Sequence, residues 1–220
     1  MNTGDFVNIE FVGKVKDTGE VFDVTSEEVA KKEKIFDPRT KYGAITVVVD
    51  AGLVLKGLDE ALKEMKIGEK KTVEISPDKA FGERKAELIK VIPMHNFKEQ
   101  NVDPTPGSYV TINNLSGRVI SIDGGRVRVD FNHPLAGKKL EYDVEVKGEV
   151  KDAADMVKGL TTYYTGIGLD KLAVTAEGKN VDVKLGMANV PPQVKKTIAD
   201  AALKWIKDID KIKFVDEFAR

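Results

Sequence analysis

Residues 51–65 read AGLVLKGLDEALKEM, and the chain is organised around this stretch. Four of its apolar residues recur at i, i+3, i+4 and i+7, which predicts one apolar face on a short helix. They are Leu58, Ala61, Leu62 and Met65. Gly57 and Gly68 mark the predicted ends of this helix. Segments typical of strands flank it on both sides, so we expect it to pack across a sheet and close the core.

The composition describes a globular protein and excludes several classes of function. The 220 residues carry a net charge of −1, so no overall field favours nucleic acid or membrane as a partner. There are no cysteines for disulfides or thiolate chemistry, and two histidines make a multi-histidine metal site improbable. No signal peptide or membrane-spanning stretch is evident. We therefore predict a cytoplasmic protein without a metal or other cofactor.

Alternating apolar residues predict a first sheet from widely separated segments. The strands fall at about 7–15, 21–24, 45–49 and 70–76, and Thr25 or Ser26 is placed to cap a helix after the second of them. Strict alternation returns at 139–147, where Leu140, Tyr142, Val144 and Val146 share one face. We assign this late strand to the first sheet.

The segment between these strands has a different pattern and predicts a small inserted β module at 87–129. An apolar strand ends at Pro93, and short strands are expected at 109–112, 118–122 and 126–130. The dipeptide Gly124-Gly125 after Asp123 is a hairpin signal for the last two strands.

The residues after about 150 predict a C-terminal α+β domain. Asp152 or a neighbour is placed to cap a helix that continues through Tyr164, and a hairpin is expected around 177–180. Pro191 or Pro192 begins a second helix with an apolar stripe. The stripe comprises Val194, Ile198, Ala201, Ala202, Trp205 and Ile209, and a closing strand is expected around Ile212, Phe214 and Phe218.

Several motifs together resemble the FKBP family of peptidyl-prolyl isomerases. They are Phe11-Val-Gly13, Val21-Phe-Asp23, Val54-Leu-x-Gly-Leu58, Ile67-Gly-Glu69 and Ile75-Ser-Pro-Asp-Lys-Ala-Phe-Gly82. The run Asn132-His-Pro-Leu-Ala-Gly137 resembles the SlyD branch, in which an insert-in-flap module interrupts the isomerase domain. The extra C-terminal domain resembles that of long-chain archaeal members.

The resemblance implies an α+β fold in which an antiparallel half-barrel wraps on a short helix. The isomerase domain would comprise residues 1–86 and 130–149, and the insert-in-flap domain would be 87–129. Residues 150–220 would form the C-terminal α+β domain.

The resemblance also implies an apolar pocket that binds proline. Its lining would be Phe11, Phe22, Ile45, Val54, Leu55, Leu58, Phe81 and Tyr142, with Leu135 at the rim. Asp23 would be the polar group beside it, and the Leu55 amide would hold a substrate carbonyl. The catalytic group would be Asp23, Phe22, Leu55, Phe81 and Tyr142. The alternative interpretation makes the aromatic residues ordinary core and Asp23 a hydrogen-bonded structural residue.

The chain departs from the family pattern at four pocket positions. Phe11 and Phe81 stand where many members have Tyr, Leu58 where many have Trp, and Ile45 where many have Phe. The pocket would therefore be less aromatic, which disfavours tight macrolide binding more than isomerisation. His95 and His133 are expected to be loop or turn histidines, and the metal-binding tail of many SlyD proteins is absent.

The insert contains many apolar residues for its size. They are Met94, Phe97, Tyr109, Val110, Ile112, Val119, Ile120 and Ile122. They form either a small separate core or an exposed surface that captures unfolded chains, and the predicted binding residues on that surface are Tyr109, Ile112 and Ile120. The expected partners are unfolded or partly folded proteins and proline-containing peptides. The C-terminal domain is a candidate for homodimerisation, and a non-catalytic chaperone or proline-peptide binding module remains the alternative function.

Overall fold

The computed structural model of the chain describes residues 1–186 and 189–215. In chain order the strands are β1 (Phe6–Val15), β2 (Val21–Val24), β3 (Ile45–Val48), β4 (Lys70–Ile75), β5 (Ile89–Pro93), β6 (Tyr109–Ile112), β7 (Leu115–Asp123), β8 (Arg126–Asp130), β9 (Leu140–Glu149), β10 (Ala173–Glu177), β11 (Asn180–Lys184) and β12 (Lys211–Val215). The helices are α1 (Glu27–Lys32), α2 (Lys56–Glu64), α3 (Met94–Glu99), α4 (Ala153–Thr165) and α5 (Pro192–Trp205). The predicted α+β class is confirmed.

The chain forms two compact units. The first comprises Met1–Ser76 with Lys139–Arg220, and the second is Pro77–Lys138. The first unit holds most of the predicted isomerase domain together with the C-terminal segment, whereas residues 77–86 and 130–138 of that predicted domain lie in the second unit. The second unit is an excursion between β4 and β9.

The first unit contains a five-stranded antiparallel sheet in the order β2-β1-β9-β4, with β3 also paired to β1. Strands β2 and β3 pair with opposite halves of the long strand β1. The four β9 residues predicted to share a face, from Leu140 to Val146, are all buried. This alternation explains why β9 returns to the sheet although the second unit separates it from β4 in the sequence.

Helix α2 packs its predicted apolar face into the core of this sheet. Leu58, Ala61, Leu62 and Met65 are all buried, which confirms the predicted stripe. Gly57 lies inside the helix, where a Cβ atom would meet Cγ2 of Ile75 at 2.6 Å. The glycine therefore allows the first turn of α2 to approach strand β4 closely.

The C-terminal segment packs against the first sheet through a shared core. Buried residues of α4, α5 and β11 cluster with Phe6 and Val48 from the isomerase segment. Helix α4 lies so close to β3 that a Cβ atom on Gly159 would be 2.5 Å from Cβ of Thr46. The Asp152 cap accepts a hydrogen bond from the Asp155 amide, as expected.

Strands β10, β11 and β12 form a three-stranded sheet, and β12 pairs parallel to β11. The predicted hairpin around 177–180 and the closing strand at Ile212 and Phe214 are confirmed. Phe218 lies outside the described residues. Ile209 follows α5 instead of belonging to it, but it is buried in the same core. Within the described ranges, no helix is both long and apolar enough to cross a bilayer.

The second unit contains an antiparallel sheet in the order β5-β8-β7-β6. The β7–β8 hairpin turns at Gly124 and Gly125, whose φ angles of 53° and 72° match the predicted two-residue turn. Helix α3, which was not predicted, begins after Pro93 and buries Phe97 in the core of the sheet. Its six residues are too few to give a recognisable helical repeat.

Candidate active site

An aromatic cluster surrounds one carboxylate in the first unit. In β1, Gly13 lies directly opposite Asp23 of β2 on one side and Tyr142 of β9 on the other. Residues opposite one another in paired strands share a face, so Asp23 and Tyr142 project from the same face of the sheet. The Tyr142 ring contacts two further aromatic rings, with centroids 5.4 Å from Phe11 and 5.9 Å from Phe22.

The absence of a side chain at Gly13 makes this cluster possible. A Cβ atom there would lie 2.8 Å from Cζ of Tyr142 and 3.2 Å from Cζ of Phe22. Both rings therefore occupy space that any other residue would fill. The sequence alone identifies Gly13 only as the end of the motif Phe11-Val-Gly13, because a glycine in a strand does not reveal which ring lies above it.

The polar contact in the cluster joins Tyr142 and Asp23. The Tyr142 hydroxyl donates a hydrogen bond of 3.5 Å to Oδ2 of Asp23. Asp23 lies at the surface, yet partial burial of its carboxyl group raises its pKa, against the opposing effect of this hydrogen bond and of one from the Val24 backbone. Burial, followed by the nearby charge of Asp23, also raises the pKa of Tyr142, which is therefore protonated at neutral pH.

The turn that leads into α2 contributes a backbone donor. The Leu55 carbonyl accepts hydrogen bonds of 2.9 Å from the amides of Leu58 and Asp59, which starts the helix. Among the described residues, no hydrogen bond uses the Leu55 amide itself. This amide is therefore one of the backbone donors that a helix N-terminus leaves without an intrahelical acceptor. Val54 and Leu55 are half-buried, and Leu58 is only 1% exposed.

Two side chains that sequence analysis missed hold this turn in place. The buried carboxylate of Asp59 accepts hydrogen bonds from the amides of Asp50 (2.7 Å) and Gly52 (2.9 Å). Tyr163 of helix α4 donates its hydroxyl to the Leu53 carbonyl. The C-terminal segment is therefore in direct contact with the residues that precede Val54 and Leu55. Neither contact has a local sequence signal, since Tyr163 and Leu53 are 110 positions apart.

The remaining pocket residues lie in different places. Ile45 begins strand β3 opposite Ile9 and is half-buried. Phe81 and Leu135 belong to the second unit. There the Phe81 ring stacks on His133 with centroids 4.2 Å apart, and the Leu135 amide donates to Nδ1 of His133.

The sequence of this chain matches two families over separate segments. The family described as FKBP26, IF domain, matches residues 90–135, and the FKBP26 C-terminal family matches residues 153–219. A short-type peptidyl-prolyl cis-trans isomerase of Methanocaldococcus jannaschii is 36% identical over 144 residues, which cover 66% of this chain and 90% of that relative. The chain belongs to the FKBP-type peptidyl-prolyl cis-trans isomerases. Its predicted resemblance to FKBP proteins with an insert-in-flap domain is confirmed.

Other FKBP-type isomerases align with shorter or less similar segments. A SlyD protein of Treponema pallidum is 31% identical over 159 residues, covering 68% of this chain and 77% of the relative. A probable FKBP-type 16 kDa isomerase of Pseudomonas fluorescens is 41% identical over 106 residues, which cover 46% of this chain and 69% of that relative. Over the part of the chain that the structure describes, no three His, Cys, Asp or Glu side chains are grouped to hold a metal ion.

The second unit of this FKBP-type isomerase exposes part of its apolar content. Tyr109 is 60% exposed and Ile120 is 40% exposed. Val91, which was not among the predicted binding residues, is 61% exposed. Ile112 is 5% exposed and packs in the core of the unit, so its predicted place on a binding surface is wrong. Val119 pairs with Val129 and Ser121 with Arg128, so a β-bulge leaves Ile120 as the extra residue, and both Ile120 and Ser121 are exposed.

Proposed function

We propose that this FKBP-type isomerase accelerates rotation about X–Pro bonds in folding proteins, with the proline bound beside the Phe11, Phe22 and Tyr142 rings. Rotation about a peptide bond faces a barrier of about 18–20 kcal/mol because of amide resonance. A twisted amide has lost resonance, so its carbonyl is less polar than that of the planar amide. An apolar environment therefore favours the twisted state relative to the planar, well-hydrated one.

The Asp23 carboxylate adds to this preference. The oxygen of a planar amide carries a partial negative charge, which a nearby carboxylate repels. Because twisting reduces that charge, the repulsion falls as the amide approaches its transition state. The Leu55 amide would hold the carbonyl of the residue next to the rotating bond, so that only one side of the peptide turns. This mechanism needs neither a nucleophile nor a general base.

The observation that carries the proposal is the placement of Asp23 and Tyr142 on one face of the sheet, within a cluster of aromatic rings and with the Asp23 pKa raised. For Phe81 and Leu135, which lie in the second unit, a role in binding proline stays a prediction of the family resemblance.

An assay of cis-to-trans conversion in a short X–Pro peptide tests the proposal with Asp23→Ala and Asp23→Asn. We expect both variants to lose most of the activity while keeping their folded structure. The matched control is Asp17→Asn, an exposed carboxylate in the turn between β1 and β2. Unchanged activity in both Asp23 variants would contradict the assigned role of this carboxylate. Binding of the peptide without faster conversion would favour the non-catalytic binding module.

The second proposed function is capture of unfolded chains by the inserted domain. Exposed Val91, Tyr109 and Ile120 support it, because extended chains bind to apolar surface on a sheet. Tethering a client there would raise its concentration at the isomerase pocket. Replacing these three residues by Ser is expected to slow catalysis of protein refolding while leaving activity on a short peptide unchanged. A protein substrate that is processed equally well by the variant would contradict capture at this surface.

Three further assignments belong to this proposal. Folding proteins and proline-containing peptides would be the partners, and the cytoplasm would be the location. The C-terminal domain would pair two copies of the chain, an idea supported by exposed Leu203 on α5 and exposed Leu169 near the end of α4. Light scattering at increasing protein concentration tests the pairing, and a monomer mass throughout would contradict it.

A further inference from the structure

The outward face of the inserted sheet carries an unusual concentration of arginine. The chain has six arginines, and three of them, Arg118, Arg126 and Arg128, lie on strands β7 and β8. Pairing places them on one face: Arg118 lies between Tyr109 and Asp130, and Arg128 between Val91 and Ser121. The same face carries Ile120. Apolar and cationic side chains are therefore interleaved on it.

These guanidinium groups have no carboxylate partner in the described part of the chain. No Asp or Glu there lies within ion-pair distance of the three arginines, although Asp123 is opposite Arg126 in the ladder. Arg118 makes one long hydrogen bond, of 3.4 Å, to the Gly107 carbonyl. The nearby Asp130 carboxylate is already bound by Arg84 and Asn132. The charge of the face is therefore available to a ligand.

The five-stranded sheet of the first unit shows the contrasting arrangement. Lys14 pairs there with Glu141 and Asp143, Lys70 with Glu145, and Lys147 with Glu10. Its cations are neutralised by carboxylates on adjacent strands. In the inserted sheet the three arginines lack such partners among the described carboxylates. Among the sheets described, only this one places unpaired cations next to exposed apolar side chains.

We propose that the face formed by Val91, Tyr109, Ile120, Arg118, Arg126 and Arg128 selects extended client segments in which acidic residues flank apolar or aromatic ones. The inference rests on the proposed capture function and specifies which clients it favours. Guanidinium groups bind carboxylates in a bidentate manner and stack on aromatic rings, so both parts of such a segment have a matching group.

A single-stranded nucleic acid is the other polyanion that an arginine-rich sheet could bind. The structure favours a polypeptide for two reasons. The face has one aromatic residue, Tyr109, where nucleic-acid sheets stack successive bases on several rings. Asp123 and Asp130 also lie on this face and interrupt its positive charge, which fits separate carboxylates better than a continuous row of phosphates.

Fluorescence anisotropy with short, proline-free peptides tests the proposal on the full chain, since these peptides lack the residue that the isomerase pocket is proposed to bind. The three peptides share a Phe-Leu core and carry Asp, Asn or Lys on both flanks. We expect the Asp peptide to bind about tenfold more tightly than the Asn peptide, because up to three exposed ion pairs each contribute a small factor. The Lys peptide should bind most weakly, and high salt should reduce the difference.

The variant Arg118→Gln, Arg126→Gln, Arg128→Gln should bind the Asp and Asn peptides equally, with little change for the Asn peptide. The matched control changes three exposed lysines of the first unit to Gln, namely Lys32, Lys66 and Lys207, whose ammonium groups also lack a described carboxylate partner. It should keep the preference. Isomerisation of a short X–Pro peptide should be the same in all three proteins.

Two results would overturn the charge-selection proposal while leaving capture intact. One is equal binding of the Asp and Asn peptides by the natural chain, and the other is an undiminished preference in the arginine variant. A single-stranded oligonucleotide that binds this face more tightly than the Asp peptide would also overturn it. If no peptide binds at all, both the capture function and this charge-selection proposal fail. The isomerase function is unaffected by that result, because the short X–Pro peptide assay measures it separately.

Discussion

The substitution Gly13→Ala tests the packing on which the aromatic cluster depends. The added Cβ atom would lie 2.8 Å from Cζ of Tyr142, whereas ordinary contacts begin near 3.4 Å. The ring must therefore move by about 0.6 Å, and the neighbouring Phe11 and Phe22 rings restrict its movement. Overpacking of this kind costs about 1–3 kcal/mol.

For a folded unit of this size, that cost corresponds to a melting temperature lower by roughly 2–12 °C. The displaced Tyr142 hydroxyl would also lose its 3.5 Å contact with Asp23, which is already long. Because shifts of about 1 Å near a reacting group reduce rates by up to about 100-fold, we expect at least a tenfold loss of isomerase activity. Thermal unfolding and the short-peptide assay measure the two effects.

The matched control is Gly148→Ala in strand β9 of the same sheet. A Cβ atom on Gly148 would have no heavy atom within 4 Å, and the φ angle of this residue is not in the left-handed region. We expect full activity and unchanged or slightly higher stability, because alanine restricts the unfolded chain more than glycine. If Gly13→Ala matches this control in both melting temperature and activity, the reasoning about the cluster is wrong.

Three other changes give separate tests. Asp23→Asn should leave the protein at least as stable at pH 7. The raised pKa of Asp23 means that the folded state holds its proton more tightly, so the carboxyl favours folding below about pH 3.8 and loses that contribution as pH rises. Melting curves of the variant and the natural chain should converge near pH 3, and a variant less stable than the natural chain at pH 7 would contradict this. Asp59→Ala should lower the free energy of unfolding, measured with denaturant, by about 1–3 kcal/mol or more, since the amides of Asp50 and Gly52 lose their acceptor. A decrease below about 0.5 kcal/mol would show that the turn before α2 does not depend on Asp59. Tyr163→Phe should raise KM for short peptides with little change in melting temperature. The control Tyr164→Phe should change neither quantity. Equal kinetics in the two variants would exclude an influence of α4 on the turn that leads into α2.

The periodic parts of the fold could be predicted from sequence. The α2 stripe and the β9 alternation each repeat several times, so one buried face is specified whatever the partner is. The Asp152 cap and the Gly124-Gly125 turn are local signals that need no tertiary information.

What could not be predicted depends on contacts between distant residues. The role of Gly13 depends on Tyr142, and the turn before α2 depends on Tyr163. Alternation along β7 also fails at its bulge, because one extra residue reverses which side chains face the core. Simple alternation from buried Val119 places Ile120 outward but fails at the next residue, where Ser121 is also exposed and Ile122 returns to the core side.

The pocket residues are predicted from the family motifs. The alternation of apolar residues along the strands predicts only an aromatic core. Phe11, Phe22 and Tyr142 would be counted as core residues by hydrophobicity alone. The structure adds the feature that distinguishes the site from ordinary core, which is a partly buried carboxylate beside the rings.

Exchange spectroscopy on a short X–Pro peptide is the decisive measurement for the proposed mechanism, because it reports cis–trans interconversion at equilibrium without a protease or a folding client. With catalytic amounts of the natural chain we expect interconversion well above the spontaneous rate, and with Asp23→Asn a rate close to the spontaneous one. Interconversion that stays at the spontaneous rate with the natural chain would contradict the account and leave only a peptide-binding role for the aromatic cluster.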